Sequence, residues 1–456
     1  MKKLGKSWIM LLLIMSMCIG LCACGSKNSG SSDDEYADGD TIEIAFWYTY
    51  GSLGQGYLDK LVDKFNSMQD EYYISILNNG GVEEVRTKLE SIDQENYPAL
   101  FCGQPILTAT YENADYIKPF QDFLDADEED WTASVYESVK ASYSDLDGNM
   151  IGFPMGVSCS GWWVNVEAIT AAGYSLDDLT SYEKIAEVAT ATVKKGICEY
   201  GLSYLCSGIE LTDMMTIQGA QYVDNKNGFG GAPTKSVLLD GENKSAMKKA
   251  GEITAKLYQD NVALTYGSGT GDTAFPLFNS GKMAFTYATN SWGHYVFAAE
   301  PTFEYAFIPS TGIDNNAKYA GSVISEGTGL YICDTGNEKE MQGAYEFIKF
   351  LAQPENVSYW CQTLGYVPYT DEAVNEESYQ TWMAEYLPSA VNLIEKIKNS
   401  PAELRIPYVE FGDEMLEVSK TLFENIAYDP TGDVEMYMED AAGIMEEGLE
   451  IWLERQ

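Results

Sequence analysis

Strand-like and helix-like segments alternate in the first part of the chain, and this order constrains the fold more than any other feature. Short apolar or alternating runs indicate strands, and apolar residues that recur every three or four positions indicate amphipathic helices. The predicted elements are, in order, a strand at 41–47, a helix over 58–68, a strand at 72–77, a helix over 85–92 and a strand at 99–102. This order is typical of a doubly wound α/β layer, so we predict an α/β protein.

The same alternation restarts in the middle of the chain, which predicts a second α/β layer. Asp147-Gly148 is typical of a hairpin turn and separates the two parts. The elements predicted after it are a strand at 161–165, a helix over 182–194, a strand at 200–203 and a helix over 245–260. Because 456 residues exceed one ordinary hydrophobic core, we expect two domains that enclose a cleft.

The remaining segments are read as loops and helices. Glycine and asparagine are dense at 225–231, which predicts a loop. An apolar stripe over 341–351 predicts a helix that ends near Pro354, and amphipathic segments over 413–453 are interrupted at 429–432. The C-terminal part is therefore predicted to be mainly helical.

The first residues carry the features of an export signal. Lysines at positions 2, 3 and 6 precede an apolar run that begins at 8–15 and is shorter than the roughly 20 residues that span a bilayer. The following Leu21-Cys22-Ala23-Cys24 resembles the bacterial lipobox, in which the last cysteine is lipidated and becomes the new N-terminus. We therefore predict a lipoprotein signal peptide at 1–23 and lipidation of Cys24, with an ordinary signal peptide or a signal anchor as the alternative.

Residues 24–39 are rich in Gly, Ser and Asp, a composition that forms a flexible tether rather than a packed structure. Each lipid methylene buried in the bilayer contributes about 0.8 kcal/mol, so two acyl chains on Cys24 would anchor the protein stably. The predicted location is the cell surface, on the outer face of the cytoplasmic membrane.

The chain is strongly acidic, with 70 Asp and Glu residues against 28 Lys and Arg residues and a formal net charge of −42. Nucleic-acid phosphates and anionic lipid headgroups would be repelled by such a surface. A solvated surface that keeps an exported protein soluble accounts for the charge. Nucleic acid is therefore not an expected partner.

Nine cysteines are present, and three of them lie in the signal region. The other six lack the paired spacing of a zinc site or of a disulfide framework. Buried free thiols are the expected state, although Cys198 and Cys206 could form a bridge. The six are Cys102, Cys159, Cys198, Cys206, Cys333 and Cys361.

Residues that could support catalysis are scarce in the sequence. His294 is the one histidine, so a Ser-His-Asp or Cys-His arrangement has a single possible base. HExxH and GxSxG motifs do not occur, and Gly267-Ser268-Gly269-Thr270-Gly271 lacks the Lys-Ser/Thr that completes a phosphate-binding loop. We predict a protein without catalytic residues, metal or cofactor, while two carboxylates among the 70 acids could still form a glycoside hydrolase site.

Short motifs in a fixed order resemble those of the extracellular solute-binding proteins of ABC importers, in the branch that holds maltose-binding and glycerol-3-phosphate-binding proteins. Each motif is weak alone, and their order over the mature chain carries the resemblance. The motifs are Ile44-Ala45-Phe46-Trp47-Tyr48, Phe65-Asn66, Tyr116-Ile117-Lys118-Pro119-Phe120, Gly152-Phe153-Pro154, Trp162-Trp163-Val164-Asn165, Ala171-Ala172-Gly173, the run 278–285, the run 344–356, Trp360 and Gly365-Tyr366-Val367-Pro368.

This resemblance implies a two-lobe fold of the periplasmic-binding-protein type, with the ligand held in the cleft between the lobes. The N-terminal lobe is expected to combine residues 40–155 and 324–373, and the C-terminal lobe residues 156–323 and 374–456. The expected role is that of a monomer that delivers a mono- or oligosaccharide to ABC permease subunits in the membrane.

The resemblance also implies ligand contacts at positions that follow strands or lie where the chain crosses between lobes. Aromatic rings cover the C–H faces of sugars and polar groups bind the hydroxyls. The implied contacts are Trp47, Tyr48, Gln104, Ser158, Asn290, Trp292, Gly327, Tyr366 and Arg405. Of the adjacent Trp162 and Trp163, at most one is expected to face the cleft, because neighbours on a strand point to opposite sides.

One departure from the family affects the expected ligand. Glycerol-3-phosphate binders carry two tryptophans in the stretch that corresponds to 203–209, and this chain has none there. The departure favours a neutral sugar, with glycerol-3-phosphate, another sugar phosphate or a polyol as the alternative. Arg405 could hold a phosphate or carboxylate through two parallel hydrogen bonds, or bind hydroxyls.

Overall fold

The computed structural model describes residues 41–267 and 271–456. The predicted signal peptide, the predicted lipidation site at Cys24 and the predicted tether lie outside the described residues. Over 41–267 and 271–456, no helix combines the length and the apolar character needed to cross a membrane.

The strands form two sheets. The first has the order β2–β1–β3–β10–β4, with β5 also paired to β10, and the second has the order β7–β8–β6–β9. The strands are β1 (Ile42–Tyr48), β2 (Tyr72–Asn78), β3 (Leu100–Gly103), β4 (Ile117–Lys118), β5 (Phe153–Ser158), β6 (Ser160–Asn165), β7 (Tyr200–Ser203), β8 (Met283–Thr289), β9 (Tyr305–Pro309) and β10 (Glu326–Cys333).

Helices connect and cover the strands of both sheets. They are α1 (Ser52–Met68), α2 (Val82–Leu89), α3 (Thr108–Glu112), α4 (Phe120–Ala126), α5 (Glu137–Ser142), α6 (Val166–Ala172), α7 (Tyr182–Lys194), α8 (Ile209–Gln218), α9 (Asp224–Asn227), α10 (Gly241–Gln259), α11 (Gly271–Asn279), α12 (His294–Phe297), α13 (Glu338–Leu351), α14 (Pro354–Leu364), α15 (Asp371–Val374), α16 (Glu377–Tyr386), α17 (Ala390–Asn399), α18 (Gly412–Tyr428) and α19 (Val434–Arg455). Short 3₁₀ turns lie at Gln94–Asn96, Pro105–Leu107, Leu176–Asp178 and Asn290–Gly293.

In the first sheet, β10 occupies an interior position. It pairs antiparallel with β3 on one side and with β4 and β5 on the other, while β1, β2 and β3 run parallel to one another. Residues Thr328 to Cys333 are all buried, as expected for a strand with neighbours on both edges and cover on both faces. Gly327 adopts φ +128°, and a Cβ there would lie 2.2 Å from the Gly156 carbonyl oxygen, so only glycine fits this approach of β10 to β5.

The second sheet is centred on β6 and β8. β6 pairs antiparallel with both β8 and β9, and β7 pairs parallel with β8. Trp162 and Trp163 are both fully buried and belong to two different hydrophobic clusters. Because successive side chains of a strand point to opposite faces, the two rings stabilise the two sides of the sheet.

Much of the predicted secondary structure is confirmed. The helix expected over 182–194 is Tyr182–Lys194, and the strand expected at 200–203 is Tyr200–Ser203. The predicted end near Pro354 is a short break, since Pro354 itself begins α14, where its missing N–H costs no hydrogen bond. The expected hairpin at Asp147-Gly148 is a turn with one isolated bridge between Ser144 and Met150.

The helices α16 and α17 contact both sheet layers. α16 packs on α14, and α17 packs on α5 and on β9. Tyr305 donates a hydrogen bond to the Tyr386 carbonyl at 2.8 Å, and the Phe307 N–H donates to Ser389 Oγ at 3.0 Å. After residue 400 the chain continues to α18 and α19, which pack on α8 and α10 beside the second sheet. The predicted change of lobe at residue 374 therefore stays a prediction.

The second sheet depends on the Trp162 ring. It contacts the rings of Tyr182, Tyr204, Phe285 and Tyr287, with 4.9 Å between the centroids of Trp162 and Tyr287. We expect Trp162→Ala to lower the free energy of unfolding by about 3–5 kcal/mol, because it removes a fully buried ring and leaves a cavity. Urea unfolding measures this change. Tyr428→Ala is the control: that side chain is 94% exposed, and its loss should cost at most about 0.5 kcal/mol.

Candidate functional site

Four of the nine implied ligand contacts meet where the two sheets join. Ser158 ends β5, Gly327 lies opposite Val157 on β10, Asn290 follows β8, and Tyr366 follows α14. A Cβ on Gly327 would lie 3.1 Å from the Ser158 nitrogen, which shows how closely β10 approaches this end of β5. We call Ser158, Asn290, Gly327 and Tyr366 the hinge cluster, because the chain passes from the first sheet to the second between Ser158 and Ser160.

Asn290 joins the hinge cluster through its amide. Its Oδ1 accepts a hydrogen bond from the Cys159 N–H at 2.8 Å, and its Nδ2 donates to the Gly365 carbonyl at 2.6 Å. The Asn290 N–H also donates to the Cys159 carbonyl at 3.2 Å. Because Asn290 is fully buried, its amide satisfies backbone groups that no water could reach. Asn290 thus positions the end of β8 against the crossing from β5 to β6 and the turn after α14.

Tyr366 lies in an aromatic cluster on the side of the first sheet. Its hydroxyl is 3.2 Å from Thr328 Oγ1, and its ring stacks on Trp360 at 6.3 Å. Tyr50 meets Trp360 edge to face at 4.7 Å. Burial raises the pKa of Tyr366, so the phenol is neutral at physiological pH and can donate a hydrogen bond.

A small cavity lies between the first sheet layer and the segment that leads to α18. Its volume is about 20 Å³, and we call it the Arg405 cavity. Pockets that enclose small-molecule ligands measure about 300–1,000 Å³, so a sugar can enter only if the two walls move apart. The lining residues are Pro105, Ile106, Thr108, Ala109, Ser142, Ser325, Arg405, Ile406, Pro407 and Tyr408.

Arg405 is held by backbone carbonyls and by an aromatic face. Its Nη1 donates to the carbonyls of Ala141 and Ser144, at 3.2 Å for the latter, and its guanidinium lies 4.7 Å from the Phe229 ring centroid. Its Nε is buried and has no hydrogen-bond partner within the described part of the chain. Burial lowers the pKa of Arg405, though the side chain remains a cation, because an arginine pKa starts above about 12. The Nε–H donor can thus bind a further acceptor.

Polar contacts also join the first layer to the segment that leads to α18. Arg86 on α2 forms a salt bridge with Asp413 on α18 at 2.6 Å. Thr110 Oγ1 donates to the Glu410 carbonyl at 3.2 Å, and the Tyr408 hydroxyl donates to the Glu112 carboxylate. These contacts join residues 86–112 of the first layer to residues 408–413, so the two layers are in a closed arrangement.

Of the other implied contacts, Trp47, Tyr48 and Gln104 lie on or directly after β1 and β3, whereas Trp292 lies on the same 3₁₀ turn as Asn290. Trp47 is covered by Lys88, whose Nζ is 4.1 Å from the ring centroid, and Tyr48 is buried at the end of β1. Gln104 is exposed after β3. Trp292 packs on Phe275, with 6.2 Å between ring centroids. Trp162 and Trp163 are both buried, in two different hydrophobic clusters.

Sequence reasoning missed three acids near the junction of the layers, of which Glu210 and Asp213 are buried and Glu326 is half-buried. Glu210 and Asp213 lie on α8, and Glu326 begins β10. Burial raises the pKa of all three carboxyl groups. The signal was present in the sequence, since Asp213 interrupts the apolar run Leu211-Thr212-Asp213-Met214-Met215.

His294, the one histidine of the sequence, packs against backbone in a partly buried position. His294 Nδ1 lies 3.3 Å from the Ser291 carbonyl, and burial lowers the pKa of the imidazole. Within 41–267 and 271–456, no cluster of three or more His, Cys, Asp or Glu side chains could hold a metal ion. Cys102, Cys159, Cys333 and Cys361 are buried free thiols, as expected, and Cys198 is also free.

Comparison of the sequence with known proteins identifies a family. A family model described as bacterial extracellular solute-binding protein matches residues 60–386. The sn-glycerol-3-phosphate-binding periplasmic protein UgpB of Yersinia pestis bv. Antiqua is 26% identical over 411 residues, which cover 87% of each chain.

Two solved structures resemble the chain in fold. The sugar-binding protein MalE of Xanthomonas citri superposes with a TM-score of 0.71 at 15% identity, covering 91% of this chain and 100% of that one. UgpB of Mycobacterium tuberculosis in complex with glycerophosphocholine also gives 0.71, at 18% identity and with the same coverage of 91% and 100%. These likenesses confirm the predicted two-lobe α/β fold.

The Asn290 amide provides a test of the hinge cluster. We expect Asn290→Ala to lower the free energy of unfolding by about 1–3 kcal/mol for each buried backbone group that it leaves without a partner. Chemical denaturation of the purified protein measures the loss. Asn392→Ala, at an exposed position on α17, serves as the matched control and should change stability by no more than about 0.5 kcal/mol. Equal stability of the two variants would contradict the positioning role of Asn290.

Proposed function

The chain belongs to the bacterial extracellular solute-binding protein family, and from this premise we propose that it captures a sugar for an ABC importer. A mono- or oligosaccharide would bind between the two lobes and be passed to permease subunits in the membrane. The observation that carries the proposal is the Arg405 cavity, which lies between the sheet layers and presents a guanidinium together with the hydroxyl-bearing Ser142 and Ser325. The position of this cavity between the layers supports the proposal that a ligand binds there.

A neutral, hydroxyl-rich ligand suits the Arg405 cavity better than an anion does. Two backbone carbonyls already accept hydrogen bonds from the guanidinium. Burial lowers the pKa of Arg405, and the negative charge of Asp145 offsets part of this lowering. The carboxylate of Glu112 accepts a hydrogen bond from Tyr408, which is one of the lining residues. Like charges in a partly buried space raise the cost of binding a phosphate.

Glycerol-3-phosphate, another sugar phosphate or a polyol is the second candidate. It is supported by the Yersinia relative, whose name specifies sn-glycerol-3-phosphate, and by Arg405, which could form two hydrogen bonds to a phosphate. The two candidates differ in the charge of the ligand, so binding measurements separate them.

The proposed mechanism is a shift of population between open and closed forms. The closed cavity of about 20 Å³ cannot admit a sugar, so the ligand must meet an open form first. Contacts to both lobes then favour the closed form by the difference in affinity between the two states. The proposed contacts are Trp47, Tyr48, Gln104, Ser158, Asn290, Trp292, Gly327, Tyr366 and Arg405. Of these, the open form would have to expose the members of the hinge cluster that are now buried.

The lobe boundaries form part of the proposal. The contacts of α16 and α17 with α14 and α5 favour an N-terminal lobe that extends to about residue 400. The packing of α18 and α19 on α8 and α10 supports the expected return of the chain to the C-terminal lobe.

Screening by thermal shift tests the ligand class. We expect a neutral sugar to stabilise the protein by about 2.7 kcal/mol at a concentration of 100 times its dissociation constant. The panel contains mono- and oligosaccharides, polyols, sugar phosphates and glycerol-3-phosphate, and product analysis of each hit shows whether the ligand is changed chemically. Stabilisation by phosphorylated compounds alone would favour the second candidate, and turnover of a hit would contradict a binding role.

Arg405 is the side chain whose loss should affect binding most directly. We expect Arg405→Ala to weaken binding of the best hit about 10- to 100-fold, because a hydrogen bond to a charged group contributes about 1.5–3 kcal/mol. Isothermal titration calorimetry measures the affinity, and the melting temperature without ligand shows whether the variant folds. Arg455→Ala changes an exposed arginine at the end of α19 and should bind as the unaltered protein does. Full affinity of Arg405→Ala would remove Arg405 from the site.

We also propose that Cys24 is lipidated and anchors the protein to the outer face of the cytoplasmic membrane. The support is the sequence Leu21-Cys22-Ala23-Cys24 behind a basic and apolar leader. We expect Cys24→Ala to abolish lipid attachment, whereas Cys22→Ala, two residues earlier, should leave it intact. Mass spectrometry of the membrane-extracted protein distinguishes the two outcomes, and lipid on the Cys24→Ala variant would contradict the assignment.

A further inference from the structure

Two carboxyl groups from different sheet layers meet beside the hinge cluster. Asp213 is 1% exposed on α8, which packs against β6 of the second sheet, and Glu326 is the first residue of β10 in the first sheet. Glu326 keeps part of its surface exposed, but its Oε1 is buried, as is Asp213 Oδ1. The two carboxyl groups lie within hydrogen-bonding reach of each other. The pair therefore bridges the two layers.

Hydroxyl groups lie within hydrogen-bonding distance of one oxygen of each carboxyl, which we call its outer oxygen. Ser160 Oγ donates to Glu326 Oε2 at 3.0 Å. The Tyr287 hydroxyl lies 3.3 Å from Asp213 Oδ2 and 3.1 Å from Ser310 Oγ. The inner oxygens, Asp213 Oδ1 and Glu326 Oε1, have no nitrogen or hydroxyl donor among the described residues. A proton between the two carboxyls satisfies both inner oxygens with one hydrogen bond.

No cation compensates the pair. Neither carboxyl takes part in a salt bridge within 41–267 and 271–456. The titratable groups around the pair are phenols, a thiol and a carboxyl, which are either uncharged or negatively charged. These groups are Tyr287 on β8, Cys159 between β5 and β6, Tyr143 after α5, Tyr222 after α8 and Glu210 one turn earlier on α8. Among the described residues, Lys396 on α17 is the cation that acts on these surrounding groups, through Cys159.

We propose that Asp213 and Glu326 share one proton and act as a pH-dependent latch that holds the two sheet layers in the closed arrangement. Two buried carboxylates at hydrogen-bonding distance cannot both be ionised without strong repulsion. A single shared proton turns that repulsion into a charge-assisted hydrogen bond between the layers. The pair titrates as a unit rather than as two independent groups.

The direction of the pH effect follows from the raised carboxyl pKa values. Burial is the largest cause for both groups, and the charge of Glu326 raises the pKa of Asp213 further. A carboxyl whose pKa is higher in the closed form contributes stability below its ordinary pKa, and this stability is lost as the pH rises through the raised value. Opening returns the carboxyls to water and to ordinary pKa values. The ratio of open to closed protein therefore increases as the pH rises, by up to about tenfold per pH unit for one proton.

Glu326→Gln tests the latch without removing its hydrogen bond. The glutamine amide can donate to Asp213, so the bridge remains while the second ionisation is removed. We expect the unaltered protein to expand between pH 5 and pH 9, as measured by the radius of gyration in small-angle X-ray scattering, and its melting temperature to fall over the same range. Glu326→Gln should show a clearly smaller change in both quantities, because the charge of Glu326 no longer raises the pKa of Asp213, although burial still does. Glu446→Gln, which alters an exposed glutamate on α19, should behave as the unaltered protein does.

Each outcome decides the proposal. Asp213→Asn should likewise reduce the pH dependence, and it replaces Glu326→Gln if that variant fails to fold. A melting temperature that falls with pH while the radius stays constant would mean that the acids are a structural pair and no latch. The same pH dependence in Glu326→Gln and in the unaltered protein would also overturn the proposal. Because no ligand is used, the result stands apart from the identity of the transported solute.

Discussion

The pairing of β10 with three other strands is the interaction on which the two-layer structure depends. β10 lies between β3 on one side and β4 and β5 on the other, although more than 160 residues separate it from β5 in the chain. The first sheet is therefore complete only after the chain has built the whole second sheet and returned. Such long-range pairing brings the crossing segments together at one place, where Gly327 allows the β10 backbone to approach Gly156.

The same return of the chain creates the polar junction between the layers. Glu326 precedes Gly327 at the start of β10, so the pairing that completes the first sheet also carries a carboxyl to Asp213 on α8. Asn290 uses its amide to join β8 to the backbone at Cys159 and Gly365. Buried polar groups of this kind stabilise one relative position of two layers, because any other position leaves them without partners.

These junction contacts and the Arg405 cavity act on the same equilibrium. The salt bridge from Arg86 to Asp413 and the hydrogen bonds from Thr110 and Tyr408 are all made in the closed arrangement. A ligand that touches both walls of the cavity would add to this set, whereas ionisation of the acid pair would subtract from it. Solute and proton would then be linked through lobe closure without touching each other, since both act by differential affinity for the two states.

The sequence by itself determined the α/β class, most strand and helix positions and the order of motifs that identifies the family. These follow from local periodicity and from turn residues, which do not depend on distant parts of the chain. Four of the nine ligand contacts implied by the resemblance lie close together in the structure. Three of them, Ser158, Asn290 and Gly327, lie near strand ends that the family pattern marks.

Only the tertiary structure decided the rest. It covered Trp47 with Lys88, buried both Trp162 and Trp163, and placed α16 and α17 against both layers. It also brought Asp213 to Glu326, two acids that are 113 residues apart and that no spacing rule connects. The reason is physical: which side chains meet across a junction depends on sheet order and on non-local packing, and a single sequence encodes these only through the folded whole.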